Sequence, residues 1–243
     1  MAKKKPVHDR AAKAQAARDQ QQRSERRRTL LSVGGVVLVM ALIVGIALFV
    51  QQSRTTTVDA AAASSEGTYG VAVGPDDAPH EVIVYEDFLC PYCGELEKVT
   101  HEKLTAAAEA GKVQVEYRPF DLLSQISDYS ARAANAFAVV LDASGPDVAK
   151  KFHDLLYENQ PEESAATFPS NEDLLELAVK AGAKEADVSD GILNDTMNDW
   201  VVKATKAAED AGVRGTPTVL LDGKVVQAGS IDEMAQKVLD AVE

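Results

Sequence analysis

VIVYEDFLCPYCGELE, residues 82–97, joins an apolar run to both cysteines of a 243-residue chain. Val82–Tyr85 is a continuous apolar, β-branched run, the pattern of a strand covered on both faces. Cys90 and Cys93 follow, with Pro91 and Tyr92 between them. A helical pattern starts at once, with Leu96, Val99, Leu104 and Ala107 on one side until Gly111 stops it. VQVEY, residues 113–117, alternates as a strand does. The cysteines therefore sit at a strand-to-helix junction inside a β–α–β unit.

Upstream, TYGVAVG (68–74) reads as a short edge strand followed by a GPDDAP turn. Downstream the chain turns helical. An Ala-rich stretch from about 128 to 143 stops at Gly145-Pro146, and a second stretch carries Val148, Phe152, Leu155 and Leu156. A polar loop (160–169) leads to Ser170 and Asp173, spaced as a capping box for a third helix. A long helix is expected over about 189–211, with Ile192, Leu193, Met197, Trp200, Val201 and Ala208 on its buried side and Gly212 at its end. TVLLDGKVVQ then places Asp222-Gly223 between two apolar runs, a strong hairpin signal. Ser230 and Glu233 form another capping box, opening a last helix with Ile231, Met234, Val238, Leu239 and Val242 at helical spacing. The order is (β)βαβ, helices, ββα. It predicts an α/β domain over 68–243 in which a parallel half and an antiparallel half share one sheet, with a helical insertion at about 122–188.

Charge divides the rest of the chain. Residues 1–28 hold ten Lys/Arg against three acids, whereas residues 51–243 hold 15 against 35. The acidic domain would repel a phosphate backbone, so nucleic acid is not its expected partner. From Thr29 to Ser53 there is no charged residue, and Leu30–Val50 is apolar enough and, at about 30 Å, long enough to cross a membrane. Lys and Arg crowd its N-terminal side, so the positive-inside rule predicts a basic cytoplasmic tail (1–28), a transmembrane helix (29–50), a Thr/Ala/Ser-rich linker (51–67) and an extracytoplasmic domain. The competing reading is a cleaved signal peptide. Its basic region would be unusually long, although Ala60–Ala63 could serve as a processing site. An exported cysteine pair meets an oxidising compartment.

Two cysteines at this spacing have three uses. Zinc requires about four ligands, and beyond the pair only His80, His101 and His153 are available in this part of the chain. His101 lies about 12 Å along the same helix, too far to share an ion. The histidines are expected to be surface or packing residues, and no metal is expected. A structural staple gains little, because so small a loop restricts the unfolded chain weakly. A reactive dithiol fits the junction. Cys90 at the helix N-cap meets free N–H groups and the helix dipole, which favour a thiolate. Pro91 suits the first helical position. Cys93, nearly a turn later and more covered, would resolve the mixed disulfide formed at Cys90.

VIVYEDFLCPYCGELE resembles the active site of DsbA-like proteins of the thioredoxin superfamily, and GVRGTPTVLLDG (212–223) is similar to their second signature. The resemblance covers about 68–243, and the helical insertion fits the DsbA-like branch. It implies a thioredoxin-like fold and a cis peptide bond at Thr216-Pro217, packed beside the thiols. The exposed backbone of Thr216 could then pair with an extended substrate segment. It also implies thiol–disulfide exchange with no cofactor other than the Cys90–Cys93 disulfide. The substrates would be exported proteins with thiols, and a membrane oxidase of the DsbB or vitamin K epoxide reductase type would reoxidise the pair. One position departs from the pattern. The family's buried acid, six residues before the first cysteine, is replaced by Val84. Glu86, two residues nearer the thiols on the same strand face, could take over proton transfer with Cys93. The alternative is that Glu86 and Asp87 are solvated residues at a strand end. Pro91 and Tyr92 tune the potential, but the same Pro-Tyr dipeptide within CPYC also occurs in glutaredoxins and does not set the direction of electron flow. Donation of a disulfide is the favoured reading. A reductase or isomerase kept reduced by a membrane donor, or a non-enzymatic scaffold or metallochaperone, is the alternative.

Overall fold

The computed structural model describes residues 69–243. The expected basic tail, transmembrane helix and linker lie outside the described residues. Among the described residues, no helix is long and apolar enough to cross a membrane.

Five strands form one sheet in the order β1-β3-β2-β4-β5. They are β1 (Val71–Val73), β2 (His80–Glu86), β3 (Val113–Pro119), β4 (Thr218–Leu221) and β5 (Lys224–Val225). β2 pairs with β3 in parallel, across the crossover helix α1 (Pro91–Glu109), and with β4 antiparallel. β1 is the expected edge strand, antiparallel to β3. The two halves therefore meet on β2, where Val82–Glu86 is buried on both faces. β4 and β5 are joined by Asp222 and Gly223, both at positive φ (49° and 73°), as the tight hairpin requires.

Between β3 and β4 lie α2 (Tyr129–Ser144), α3 (Pro146–Glu158), α4 (Asn171–Ala181), α5 (Glu185–Leu193) and α6 (Asn198–Asp210); α7 (Ile231–Val242) closes the chain. On one sheet face Val82, Val84, Val115 and Val219 join α1, α7 and α2–α5 in one core. On the other, Ile83, Tyr85 and Leu220 pack against Ala204, Ala208 and Ala211 of and just after α6. Of the polar positions of VQVEYRP, Gln114 is part-exposed but the other two are not solvated. Glu116 and Arg118 are buried on this second face, where Arg118 donates to Glu116 (2.7 Å) and to the Tyr85 hydroxyl (2.8 Å).

Three local expectations change. The single helix over 189–211 is two helices, because Asn135 of α2 clamps a break at 194–197. Its Nδ2 donates to the Gly191 carbonyl, and its Oδ1 accepts from the Met197 N–H at 2.8 Å. Leu193, expected on the buried side, is exposed, and so is Val99 on α1, whose buried side carries Cys93, Leu96, Thr100, Leu104 and Ala108. The capping box at Ser170–Asp173 is reciprocal as predicted. At Ser230 only half of it forms, since Glu233 accepts from the Gly229 N–H instead.

Candidate active site

β2 delivers the chain to the site and α1 receives it. Asp87, at the turn between them, is fully buried and acts as a hub. Its carboxylate accepts from the backbone N–H groups of Leu89 (2.8 Å), Leu122 (2.8 Å) and Leu123 (3.0 Å) and from the Ser130 hydroxyl (2.5 Å). Its carbonyl accepts from the Cys90 N–H at 2.9 Å. The reading of Asp87 as a solvated strand end is therefore overturned. An acid at this turn ties the cysteine loop to the β3–α2 connection, satisfying N–H groups that no strand can reach.

Cys90 occupies the N-cap of α1 with extended backbone (φ −71°, ψ 116°), and Pro91 starts the helix, as expected. Both cysteines are thiols and both are almost fully covered, at 4 % and 2 % exposure. The anticipated contrast in cover is absent by area and present in the electrostatics. The Cys90 thiol is lowered to about 6, first by a hydrogen bond from Cys93, then by the Thr216 side chain and the N–H groups of Cys93 and Tyr92. Burial alone would have raised it. Cys93 is pushed well above the ordinary thiol range by burial, by the adjoining Cys90 and by the negative charge of Glu86. One thiol is prepared as a thiolate and the other as a proton-holding thiol.

The second signature arrives where the resemblance places it. Thr216-Pro217 is cis, directly before β4, and the Thr216 carbonyl accepts from the Cys90 thiol at 3.4 Å. Thr218 is the first residue of the β2–β4 ladder, so Thr216 lies beyond its end. Both Thr216 and Pro217 are half-buried. Pro91 and Tyr92 face outward, Tyr92 with 59 % of its surface exposed.

Glu86 is not solvated. It is 2 % exposed, on the Val82–Val84 face, and its Oε1 lies 2.7 Å from Nε2 of His153, which is itself fully buried. Cys93 and Glu86 line one small cavity of about 10 Å³, together with Val84, Glu97, Thr100 and Tyr117. Burial raises Glu86 above its ordinary range, against the opposing pull of His153. Burial would lower His153, but the Glu86 carboxylate and the hydrogen bonds to Asp154 and Glu86 lift it to about 9. His153 was expected to be a surface or packing residue; the structure makes it the partner of the acid beside the thiols. Its sequence context on an amphipathic helix carried no sign of this.

Glu97, His153 and Asp154 bring ligand-capable atoms within 4.8 Å of one another. Lys150 already supplies the cation there: its ammonium bonds Asp154 and lies 3.5 Å from Glu97. Gln160 is a second residue with no sequence signal. It donates to the carbonyls of Phe88 (3.0 Å) and Cys90 (2.9 Å), bracing the cysteine turn from the loop after α3.

The comparisons agree with this geometry. The thioredoxin family model matches residues 66–241. The probable disulfide bond formation protein D of Bacillus cereus is 28 % identical over 158 residues, 63 % of this chain and 70 % of that protein. The thiol:disulfide interchange protein DsbA of Pectobacterium carotovorum is 27 % identical over 194 residues, 76 % of this chain and 89 % of that one. Oxidised DsbA of Mycobacterium tuberculosis superimposes with a TM-score of 0.59 at 30 % identity, over 71 % of this chain and 92 % of that structure. The chain belongs to the thioredoxin family and is a DsbA-like protein disulfide oxidoreductase.

Proposed function

We propose that this protein donates its Cys90–Cys93 disulfide to exported proteins on the outer side of the membrane that anchors it. The observation that carries the reading is the split between the two thiols. Cys90 is stabilised as a thiolate at the N-cap, and Cys93 is destabilised as one. Stabilising the Cys90 thiolate stabilises the reduced form, which makes the disulfide the more oxidising partner in exchange.

A substrate thiolate attacks Cys90 Sγ; the S–S bond breaks and Cys93 leaves, taking up a proton. A second substrate thiolate then attacks its own sulfur in the mixed disulfide, and Cys90 leaves as a thiolate. The Thr216 backbone, beyond the end of the β2–β4 ladder, aligns the extended substrate segment, with Pro217 shaping the floor and Pro91 and Tyr92 forming the rim. Glu86 is the group that exchanges the proton with Cys93. A membrane oxidase of the DsbB or vitamin K epoxide reductase type restores the disulfide. The apolar run at 30–50, with its basic N-terminal flank, supports the anchor and the extracytoplasmic placement. The acidic domain supports protein rather than nucleic acid as the substrate class.

The test is the reduction potential of the pair, with its redox state in cells. A potential nearer about −120 mV than about −270 mV, with the protein found oxidised, supports donation. A reducing potential with the protein found reduced favours the reductase alternative. A Cys93→Ser variant should accumulate mixed disulfides with exported proteins, and failure to trap any would count against the assigned roles.

A further inference from the structure

The Glu86–His153 pair does not end inside the protein. On its other side, His153 Nδ1 lies 2.9 Å from Asp154 Oδ1 and 4.0 Å from Glu97 Oε1. Glu97 is 2.9 Å from His101 Nδ1, which is itself 3.7 Å from Asp154. His101 is part-exposed and, with Glu97 and Asp154, lines an open groove of about 730 Å³ between α1 and the segment 157–163. A continuous row of proton-carrying groups therefore runs from the cavity beside Cys93 to solvent, through β2, α3 and α1.

We propose that His153 is the proton carrier that connects the buried Cys93–Glu86 pair to solvent, with Asp154 and His101 as its outlet. This inference rests on the proposed roles of Cys90 and Cys93. It concerns how their proton moves, and it gives a function to a histidine on an element outside both cysteine-bearing signatures.

The need for a carrier is physical. Cys93 must lose a proton when it closes the disulfide and gain one when it is displaced, yet it is buried and cannot meet bulk water. In the closing direction, the mixed disulfide at Cys90 carries a substrate sulfur. Cys93–SH passes its proton to the Glu86 carboxylate as protonated His153 releases its Nδ1 proton toward Asp154, and the thiolate attacks Cys90 Sγ. The Cys90–Cys93 bond forms, the bond to the substrate sulfur breaks, and the substrate leaves as a thiolate protonated by solvent. The oxidant is the disulfide substrate, which accepts both electrons. Donation runs the same steps backwards.

The groups facing His153 fit this task. Glu86 of β2 meets one ring nitrogen and Asp154 of α3 the other. Glu97 of α1 stands at 4.0 Å, and Lys150 of α3 bonds Asp154 and holds the cluster near neutrality. Tyr117 of β3 (4.6 Å between ring centroids) and Tyr157 of α3 (5.1 Å) wall the ring in. Both tyrosines are pushed well above their ordinary range by burial, so neither competes for the proton. His153, lifted to about 9 and exchanging with a carboxyl raised by burial, holds a proton that can move either way.

The experiment separates the two chemical steps by stopped flow, using reduced full-length protein in detergent and a model peptide disulfide. In His153→Gln, which keeps a buried hydrogen-bonding side chain but cannot carry a proton, attack by Cys90 should stay within about twofold of wild type. Closure by Cys93 should slow about a hundredfold, the low side of general acid–base effects, and lose the part of its pH dependence that falls near pH 9. His101→Asn and Asp154→Asn, at the solvent end, test the same path if His153→Gln does not fold. Each should slow closure in dilute buffer, and added imidazole should restore it. Unchanged closure in these variants overturns the relay while leaving the Cys90–Cys93 assignment standing. Equal loss of both steps also overturns it, because that is the mark of a structural role. A wild-type chain whose Cys90 does not attack at all overturns the underlying assignment.

Discussion

Nε2 of His153 and Oε1 of Glu86 meet at 2.7 Å with both side chains almost completely removed from solvent. Burial and the partner's charge, not bulk water, set the protonation of both groups, so folding stability must depend on pH through them. The His153 ring is raised from 6.5 to about 9 in the folded state. A raised group contributes stability that is complete below its unfolded value and lost as pH climbs through its folded one. The stability advantage of wild type over His153→Gln should therefore shrink by an amount of order 1–3 kcal/mol between pH 6.5 and 9.5. Urea unfolding across that range measures it, and a difference that stays flat with pH would contradict the assignment.

Cys90 should react as a thiolate well below the pH of an ordinary thiol. Its alkylation rate in the reduced protein is expected to rise with a midpoint near pH 6. Cys93 should remain unmodified over the neutral range. Mass spectrometry of partially alkylated protein distinguishes the two sites. Equal labelling of both, or a midpoint near 8.5, would mean that the N-cap environment does not act as described.

Asp87 should be among the least replaceable residues near the site. Asn in its place keeps the shape but turns one acceptor oxygen into a donor facing other donors. With four hydrogen bonds converging on the carboxylate, Asp87→Asn should cost about 2 kcal/mol or more in urea unfolding. A loss below about 0.5 kcal/mol would show that the Leu122 and Leu123 amides find other partners.

Gly94 and Gln160 should be coupled. A Cβ at Gly94 would lie 2.2 Å from Gln160 Oε1, so Gly94→Ala must displace the side chain that braces the Phe88 and Cys90 carbonyls. Gln160→Ala removes the same brace. Each single change is expected to cost about 1 kcal/mol and the double variant less than their sum. Additive losses in the double-mutant cycle would show the two sites to be independent.

The close approach of α2 and α5 gives a packing test. A Cβ at Gly191 would meet Val139 methyl groups at 2.7 and 2.8 Å. Gly191→Ala should destabilise by about 1–3 kcal/mol, and Val139→Ala in the same chain should recover part of that loss. Calorimetry of the three variants checks it; no recovery would place the clash elsewhere.

The sequence alone determined what depends on near neighbours. Strand β2, the helix beginning at Pro91, the Asp222-Gly223 hairpin and the Ser170–Asp173 box are set by periodicity, by φ preferences and by bonds a few residues long, and all were legible. So was the pairing of CPYC with Gly-Thr-Pro-Thr, through its resemblance to a known family. The break at 194–197 was not legible, because Asn135, 56 residues before Gly191, makes the bonds that interrupt the helix. Nor were the identities of the groups around the thiols. Asp87 and Glu86 look in sequence like any acidic strand end, and burial made one a structural hub and the other half of a buried acid–histidine pair. His153 lies 67 residues from Glu86, and Gln160 lies 70 from Cys90. A buried charge must find its partner in space, and no local pattern says which distant helix will bring it. The dithiol was therefore readable from the chain, whereas the surroundings that set its proton chemistry were decided by the tertiary fold.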